Sequence, residues 1–446
     1  MANDVIGVPV PAVQYEQLLS GSARYINDLK MPGMLVGKLL YSAYPCARIT
    51  NLDVEAARAL PGVEAVLTHA DIPGENSYLY HEADQPLLAA ERVNYLGDAI
   101  AAVAAVDEET AQAALEAVQV DYEPLPGVFD PLEAMKPGTT PVLPGYENII
   151  SHTEFDFGDV EAGFAAADVI VENQSFTPWI EHAYLEPEGA LSYFDLEGTL
   201  VVYASNQAPN RDRMQIARSL AIPEHRVRVI TPFVGGAFGA KDEVTVQIHC
   251  ALLTQATGKP VRLIRTREES ILTHVKRHPI IVNYCMGATQ EGKITAIKVE
   301  LVGDTGPYEN AGRFILGFAA SVASGPYSVP NARIDSYAVR TNNPIGGAMR
   351  GFGAPQVCLA YEGQMDTLAE KLGIDPLELR LLNAVSSGQV VPSGGIIREA
   401  GAVKAGLKEA TSLAGWEKRG DIERQPAPNL RRGWGISSTW FVIGLG

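Results

Sequence analysis

Two glycine-rich stretches concentrate the residues of this 446-residue chain best suited to hold and process a ligand. The first, Val234-Gly-Gly-Ala-Phe-Gly-Ala-Lys-Asp242, falls between a strand-like and a helix-like segment. Glycines there let the main chain approach a ligand closely, and a helix N-terminus offers unpaired N–H groups to an anion. The stretch is not a Walker phosphate loop, because Ala240 replaces the required glycine and Asp242 the serine or threonine. Nor is it a dinucleotide fingerprint, since Ala237 breaks the G-x-G pattern. The second stretch, Gly346-Gly-Ala-Met-Arg-Gly-Phe-Gly-Ala-Pro355, again precedes a helical segment. A guanidinium at Arg350 suits an oxyanion or phosphate, and Phe352 offers a ring face to a flat substrate. A tight strand–helix turn explains either loop alone; the pair is better explained by convergence on one pocket.

Other reactive side chains group less convincingly. Glu181-His182-Ala-Tyr-Leu-Glu186-Pro-Glu188 offers carboxylates and a histidine, but its spacing matches no metal-ligand pattern, and a hydrogen-bonded turn is expected. His274 and His278 are four apart, yet Lys276, Arg277 and Pro279 around them argue against a metal. No G-x-S-x-G is present, and His249-Cys250 reads as helix core rather than an activated nucleophile.

The elements that position these residues follow from periodicity and caps. Before the loops, helices are expected at Asp53–Leu60 and, capped by Asp107, to about Val118. Strands are expected at Val63–Thr68, Ala99–Val106 and Val118–Tyr122. Prolines at 124, 126, 131, 137, 141 and 144 then suggest a linker. Beyond it, strands are read at Thr199–Ala204, Arg226–Thr231, Ala296–Leu301 and Ser336–Arg340. Helices are read from about Asn210 to Ala221, Asp242 to Thr257, Gln356 to Leu372 and Pro376 to Asn383. The class is α/β (α+β).

Composition narrows the function. At 46% hydrophobic and 20% charged the chain is a folded one, long enough for two or three domains. A net charge of −18 excludes nucleic acid and anionic membranes as expected partners. Cys46, Cys250, Cys285 and Cys358 stand too far apart for an iron–sulfur cluster or structural zinc held by this chain alone. With no secretory signal or disulfide framework read, a cytoplasmic location is expected. The stretch Phe314–Ala332 is uncharged but broken by glycine and proline, so no membrane span is expected. Gly433–Gly446 is uncharged, carries two tryptophans, and reads as the first strand of a domain completed by a partner chain.

Together these residues resemble the molybdenum-binding large subunit of the xanthine dehydrogenase and aldehyde oxidase family, along nearly the whole chain. Gly21-Ser-Ala-Arg-Tyr25, Pro32-Gly-Met-Leu35 and Ala47-Arg-Ile49 look like that family's hammerhead α/β domain, with Cys46 where histidine is usual. Glu181-His182 through Glu186, Ser205-Asn-Gln207, Gly235–Gly239, Arg350–Gly353, Leu372–Pro376, Arg380 and Asn383 follow in order. The resemblance implies a hammerhead-like domain at 1–125, a Pro/Gly-rich linker at 126–148 and the first molybdopterin-binding domain at 149–430. Residues 431–446 would start the second.

It also implies a molybdenum-pyranopterin dithiolene, expected as the cytosine dinucleotide, with selenium an alternative to the sulfido ligand. Gln207, Phe238 and Arg350 would contact the metal centre from outside its ligand shell. Gly235, Gly236, Ala237 and Gly239 would cradle the cofactor, and Phe352, Asp242 and Phe318 would meet substrate. Purine-oxidising members carry glutamate at the position of Asp242 and arginine at that of Phe318, although Arg313 is close in sequence. Single-chain members continue well beyond this length and include the general-base glutamate. The arrangement therefore resembles split-subunit members of the nicotinate dehydrogenase type. No catalytic base is assigned here; it is expected on a second molybdopterin subunit, with iron–sulfur and FAD subunits carrying electrons away. The implied reaction is hydroxylation of an electron-poor carbon in a small aromatic N-heterocycle, purine or pyridine carboxylate, with oxygen from water. The alternatives are an aldehyde- or aromatic acyl-CoA-oxidoreducing relative and a cofactor-free scaffold. Retention of Gln207, Phe238, Arg350 and Phe352 argues against the scaffold.

Overall fold

A computed structural model describes residues 7–421 and 423–441. Its largest sheet has seven strands, in the order Val227–Ile230, Leu200–Ala204, Gly189–Phe194, Val261–Ile264, Leu35–Tyr41, Ala99–Ala105 and Val63–Leu67. This sheet runs through the division suggested by the prolines. Leu35–Tyr41 pairs in parallel with Val261–Ile264, setting Leu35 opposite Val261. The strand Ala99–Ala105 reads Ala-Ile-Ala-Ala-Val-Ala-Ala and is buried almost throughout. Its small side chains let the helix Glu108–Ala117 and the helix Gln247–Thr257 both pack against it. Asp107 caps the first of these by accepting from the Thr110 N–H, as its position predicts.

A second sheet of five strands runs Ile149–Phe157, Ala332–Val339, Ile294–Asp304, Ile280–Ala288 and Val169–Phe176. The helix Ala354–Leu372 covers its Ile280–Ala288 and Val169–Phe176 end, and the helix Gly312–Ser321 its other end. Leu316, Phe318, Tyr361 and Met365 join this core. A third sheet of three strands, Arg92–Val93, Ala47–Asp53 and Gln119–Pro124, completes the N-terminal part. The stretch 126–148 is folded against the body. Val142 and Asn148 are buried, and the Asn148 side chain accepts from the Val142 N–H at 2.8 Å and donates to the Ala134 carbonyl at 3.1 Å.

One expected element differs. The helix expected from Asp242 begins at Gln247, preceded by a 3-10 turn over Ala240–Asp242. Glu243 is extended (φ −90°, ψ 153°) because its carboxyl is drawn inward to Asn310, at 2.6 Å from the Asn310 Nδ2. The first glycine loop therefore does not end on an α-helix N-terminus. Residues 433–441 lie outside the three sheets of the described residues. Trp440 instead donates its indole N–H to the Val322 carbonyl at 3.2 Å, and residues 442–446 lie outside the described residues. No described helix is long and apolar enough to cross a membrane.

Candidate functional site

A cleft of about 1080 Å³ opens where loops of the seven-stranded sheet meet helices covering the five-stranded one. Gln207, Phe238, Gly239, Phe318, Arg350 and Phe352 all line it. Gln207 follows the strand Leu200–Ala204. Its N–H donates to the Lys241 carbonyl at 2.8 Å, and its Oε1 accepts from the Gly239 N–H at 3.1 Å. Gly235, Gly236 and Ala237 lead into the cleft without appearing among its lining.

A buried ion pair holds that loop. The Lys241 side chain is 0% exposed and its Nζ donates to the Glu186 carbonyl at 2.8 Å, to Glu186 Oε2 at 3.1 Å and to Ser205 Oγ at 2.7 Å. Glu186 Oε2 also accepts from the Ser205 hydroxyl and the Gly235 N–H, each at 2.7 Å. Burial lowers the Lys241 pKa below its ordinary value, and Glu186 opposes that shift.

The two glycine loops touch. The Arg350 N–H donates to the Phe238 carbonyl at 2.8 Å. Gly239 has φ +107°, and a Cβ there would lie 2.7 Å from the Ala348 carbonyl oxygen. Phe238 (φ +56°) and Phe352 (φ +48°) are held in the left-handed region, at about 1–3 kcal/mol each. Both rings thereby face a constrained site. Phe352 meets Phe318 edge-on at 6.3 Å between centroids, and Phe441 packs on Phe318 at 4.9 Å.

Asp242 lies beside the cleft rather than in its lining. It accepts from Arg211 Nη1 at Oδ2 (3.1 Å) and at its carbonyl (3.2 Å), while the Arg211 guanidinium covers the Tyr80 ring at 4.7 Å. Tyr80, Arg211, Arg313 and Phe314 also line the cleft, and sequence reasoning does not single them out as site residues. Arg211 lies in the first turn of the helix Pro209–Ser219, just beyond Gln207. Tyr80 reaches the cleft from the N-terminal part, and no local pattern announces that.

Under the second loop, Glu243 is buried and accepts from the Ala348 N–H at 3.3 Å. Burial pushes its pKa from 4.5 up to about 8. The folded chain thus holds a proton there that the unfolded chain releases, so this group's contribution to stability falls as pH rises from about 4.5 to about 8. Glu243→Gln, neutral at every pH, is expected to flatten the pH dependence of stability in that window, measured by denaturant titration. An unchanged slope would contradict the assignment.

The remaining candidates are spent structurally. Glu181 pairs with Lys276 at 2.6 Å, His182 Nε2 meets the Ala348 carbonyl at 2.9 Å, and buried Glu188 lies 3.1 Å from His274. Cys250 is buried in the helix Gln247–Thr257 with its thiol pushed up to about 11, and burial lowers His249 to about 4. Arg380 is buried on Glu362 at 2.8 Å, and Asn383 accepts from the Ile294 N–H at 3.0 Å, so both brace the frame.

Residues 143–384 match the family described as molybdopterin cofactor-binding domain. Residues 20–126 match the aldehyde oxidase and xanthine dehydrogenase a/b hammerhead domain. The chain belongs to the molybdopterin-binding large subunits of the xanthine dehydrogenase and aldehyde oxidase family, which are molybdenum-dependent oxidoreductases. It is 40% identical to the nicotinate dehydrogenase large molybdopterin subunit of Eubacterium barkeri, over 93% of this chain and 98% of that one. It is also 40% identical to a probable xanthine dehydrogenase component of Bacillus subtilis (strain 168), covering 90% of this chain and 55% of the relative. The aldehyde oxidoreductase of Desulfovibrio gigas superposes with a TM-score of 0.88 at 31% identity, covering 93% of this chain and 47% of that one. The chain thus spans about half the length of these last two relatives. The family and the fold class read from the sequence are both borne out.

Proposed function

We propose that this chain holds the cofactor and one wall of the substrate site in a molybdenum hydroxylase acting on an electron-poor carbon of a small N-heterocycle, with oxygen from water. The observation carrying this reading is the contact of two glycine loops at Arg350 and Phe238, which builds a cradle with an aromatic ring on its rim. The residues fit a pyranopterin cofactor. Gly239 and Gly353 each bring main chain so close that a Cβ would stand 2.7 Å from a carbonyl oxygen. Among the described residues, the Ala237 and Phe238 N–H groups have no internal acceptor. Such groups suit an electron-rich ligand.

When bound, the cofactor supplies two-electron oxidation of the substrate carbon. The amide of Gln207 and the main chain at Phe238 orient the metal centre from outside its ligand shell, and Arg350 adds a positive charge against the cofactor. Phe352 stacks on the substrate ring with Phe318 behind it, and the two rings keep water from the reacting face. Asp242 sits behind the cleft wall and fixes Arg211 in that wall. The general-base glutamate lies on a second molybdopterin subunit, and electrons leave through iron–sulfur and FAD subunits. The cofactor is the cytosine dinucleotide form, with sulfido or selenido at the metal, and the complex is cytoplasmic.

The test is turnover of a heterocycle panel by the complex purified from its host, run in 18O-labelled water. Label in the product is expected. Gln207→Ala and Phe352→Ala are expected to lower kcat/KM by at least about tenfold with molybdenum retained. Unlabelled product, or unchanged kinetics in both variants, would overturn the reading.

A further inference from the structure

The chain carries a net charge of −18, yet the charged side chains lining its cleft are all guanidinium groups: Arg211, Arg313 and Arg350. No carboxylate lines it among the described residues. An acidic protein that presents only cations to a cleft favours an anion there. Arg350 is assigned above to the cofactor. Arg211 is committed to the wall, with Nη1 on Asp242 and its face on Tyr80. Arg313 is left.

Arg313 opens the helix Gly312–Ser321, which also delivers Phe314, Gly317 and Phe318 to the cleft. The i,i+4 spacing sets Arg313 beside Gly317 and Phe314 beside Phe318 along one helix face. A Cβ at Gly317 would meet only Thr153 Oγ1, at 3.6 Å, so the glycine leaves open space between the cation and the rings. The guanidinium is held in place. Its Nε donates to buried Glu309 at 2.7 Å and its Nη2 to Glu82 at 3.3 Å, while Nη1 has no partner among the described residues. Glu82 is shared with Arg340, at 3.4 Å, so an arriving carboxylate competes only with a long, partly exposed contact for Nη2.

From this geometry we infer that the substrate is an aromatic carboxylate, its ring against Phe352 and Phe318 and its carboxylate read by Arg313. The inference rests on the proposed function and selects, between its two substrate types, the carboxylate over the purine. A planar guanidinium matches a carboxylate with two parallel N–H donors, which a carboxamide cannot accept equally.

The test is calorimetric binding of benzoate and pyridine-3-carboxylate, each against its carboxamide, to the molybdenum-loaded complex. At least one acid is expected to bind about 30-fold tighter than its amide. Arg313→Met should bring acid and amide to within about threefold. Because that change leaves buried Glu309 with only the His81 imidazole, 3.3 Å away, Arg313→Met combined with Glu309→Gln serves as the second variant and should behave alike. Gly317→Leu, filling the open space, should weaken both ligands at least about tenfold. Equal affinity for acid and amide in the unaltered complex, no binding of either acid, or a preference that survives in both Arg313 variants would overturn the inference. Binding needs no turnover, so failure of the hydroxylase reading would show separately, as unlabelled product.

Discussion

Replacing Lys241 with methionine is expected to destabilise the protein by about 3–5 kcal/mol, the effect of stranding one partner of a buried ion pair. The Lys241 side chain is 0% exposed and that of Glu186 12%, so the pair is largely withdrawn from water. Five contacts converge on the Glu186 carboxyl and carbonyl, two from Lys241 and one each from Ser205, the Gly235 N–H and the Ile26 N–H. Removing the cation leaves an unpaired carboxylate beside Gly235, at the root of the first glycine loop. Adding Glu186→Gln should recover a substantial part of the loss, because the stranded charge is gone. Denaturant unfolding of the single and double variants measures both. A loss under about 1 kcal/mol for Lys241→Met, or no recovery in the double variant, would show that the pair does not hold the loop.

The second large effect concerns cofactor retention. Gly239→Val is expected to lower the molybdenum content of the purified complex at least about tenfold. A β-branched residue is a poor fit at φ +107°, and its Cβ would lie 2.7 Å from the Ala348 carbonyl oxygen, forcing the two glycine loops apart. The Arg350-to-Phe238 hydrogen bond between those loops would go with them. Gly363 is the matched control. It sits within the helix Ala354–Leu372 with nothing within 4 Å of its would-be Cβ, so Gly363→Ala should leave metal content unchanged and helix stability equal or slightly higher. Full molybdenum in Gly239→Val would remove the cradle from the site.

Much of this frame was legible where the code is local. The Asp107 cap, the helix Pro376–Asn383 and the strand Ala99–Ala105 were readable because a cap, a proline at the helix start and an apolar run each act within a few residues. The convergence of the two glycine loops was also readable, since both present the same unusual composition. What escaped depends on tertiary partners. Val169–Phe176 reads Val-Ile-Val-Glu-Asn-Gln-Ser-Phe and is exposed at most positions, so its alternation is weak; pairing with Ile280–Ala288 makes it a strand. The delayed start of the helix at Gln247 follows from Glu243 turning inward to Asn310, sixty-seven positions along the chain. In the site itself, Tyr80 comes from a segment far from either glycine loop, and only the seating of the N-terminal part on the rest brings it to the cleft; Arg313 arrives on the helix that carries Phe318.

The most direct measurement is the molybdenum content of the complex purified from its native host, with iron and selenium determined on the same sample. About one molybdenum per chain, with iron in the co-purifying subunits, is the expected result. A well-folded complex without molybdenum, isolated under conditions that preserve the cofactor in relatives, would contradict the assignment of the cleft and leave the chain a scaffold.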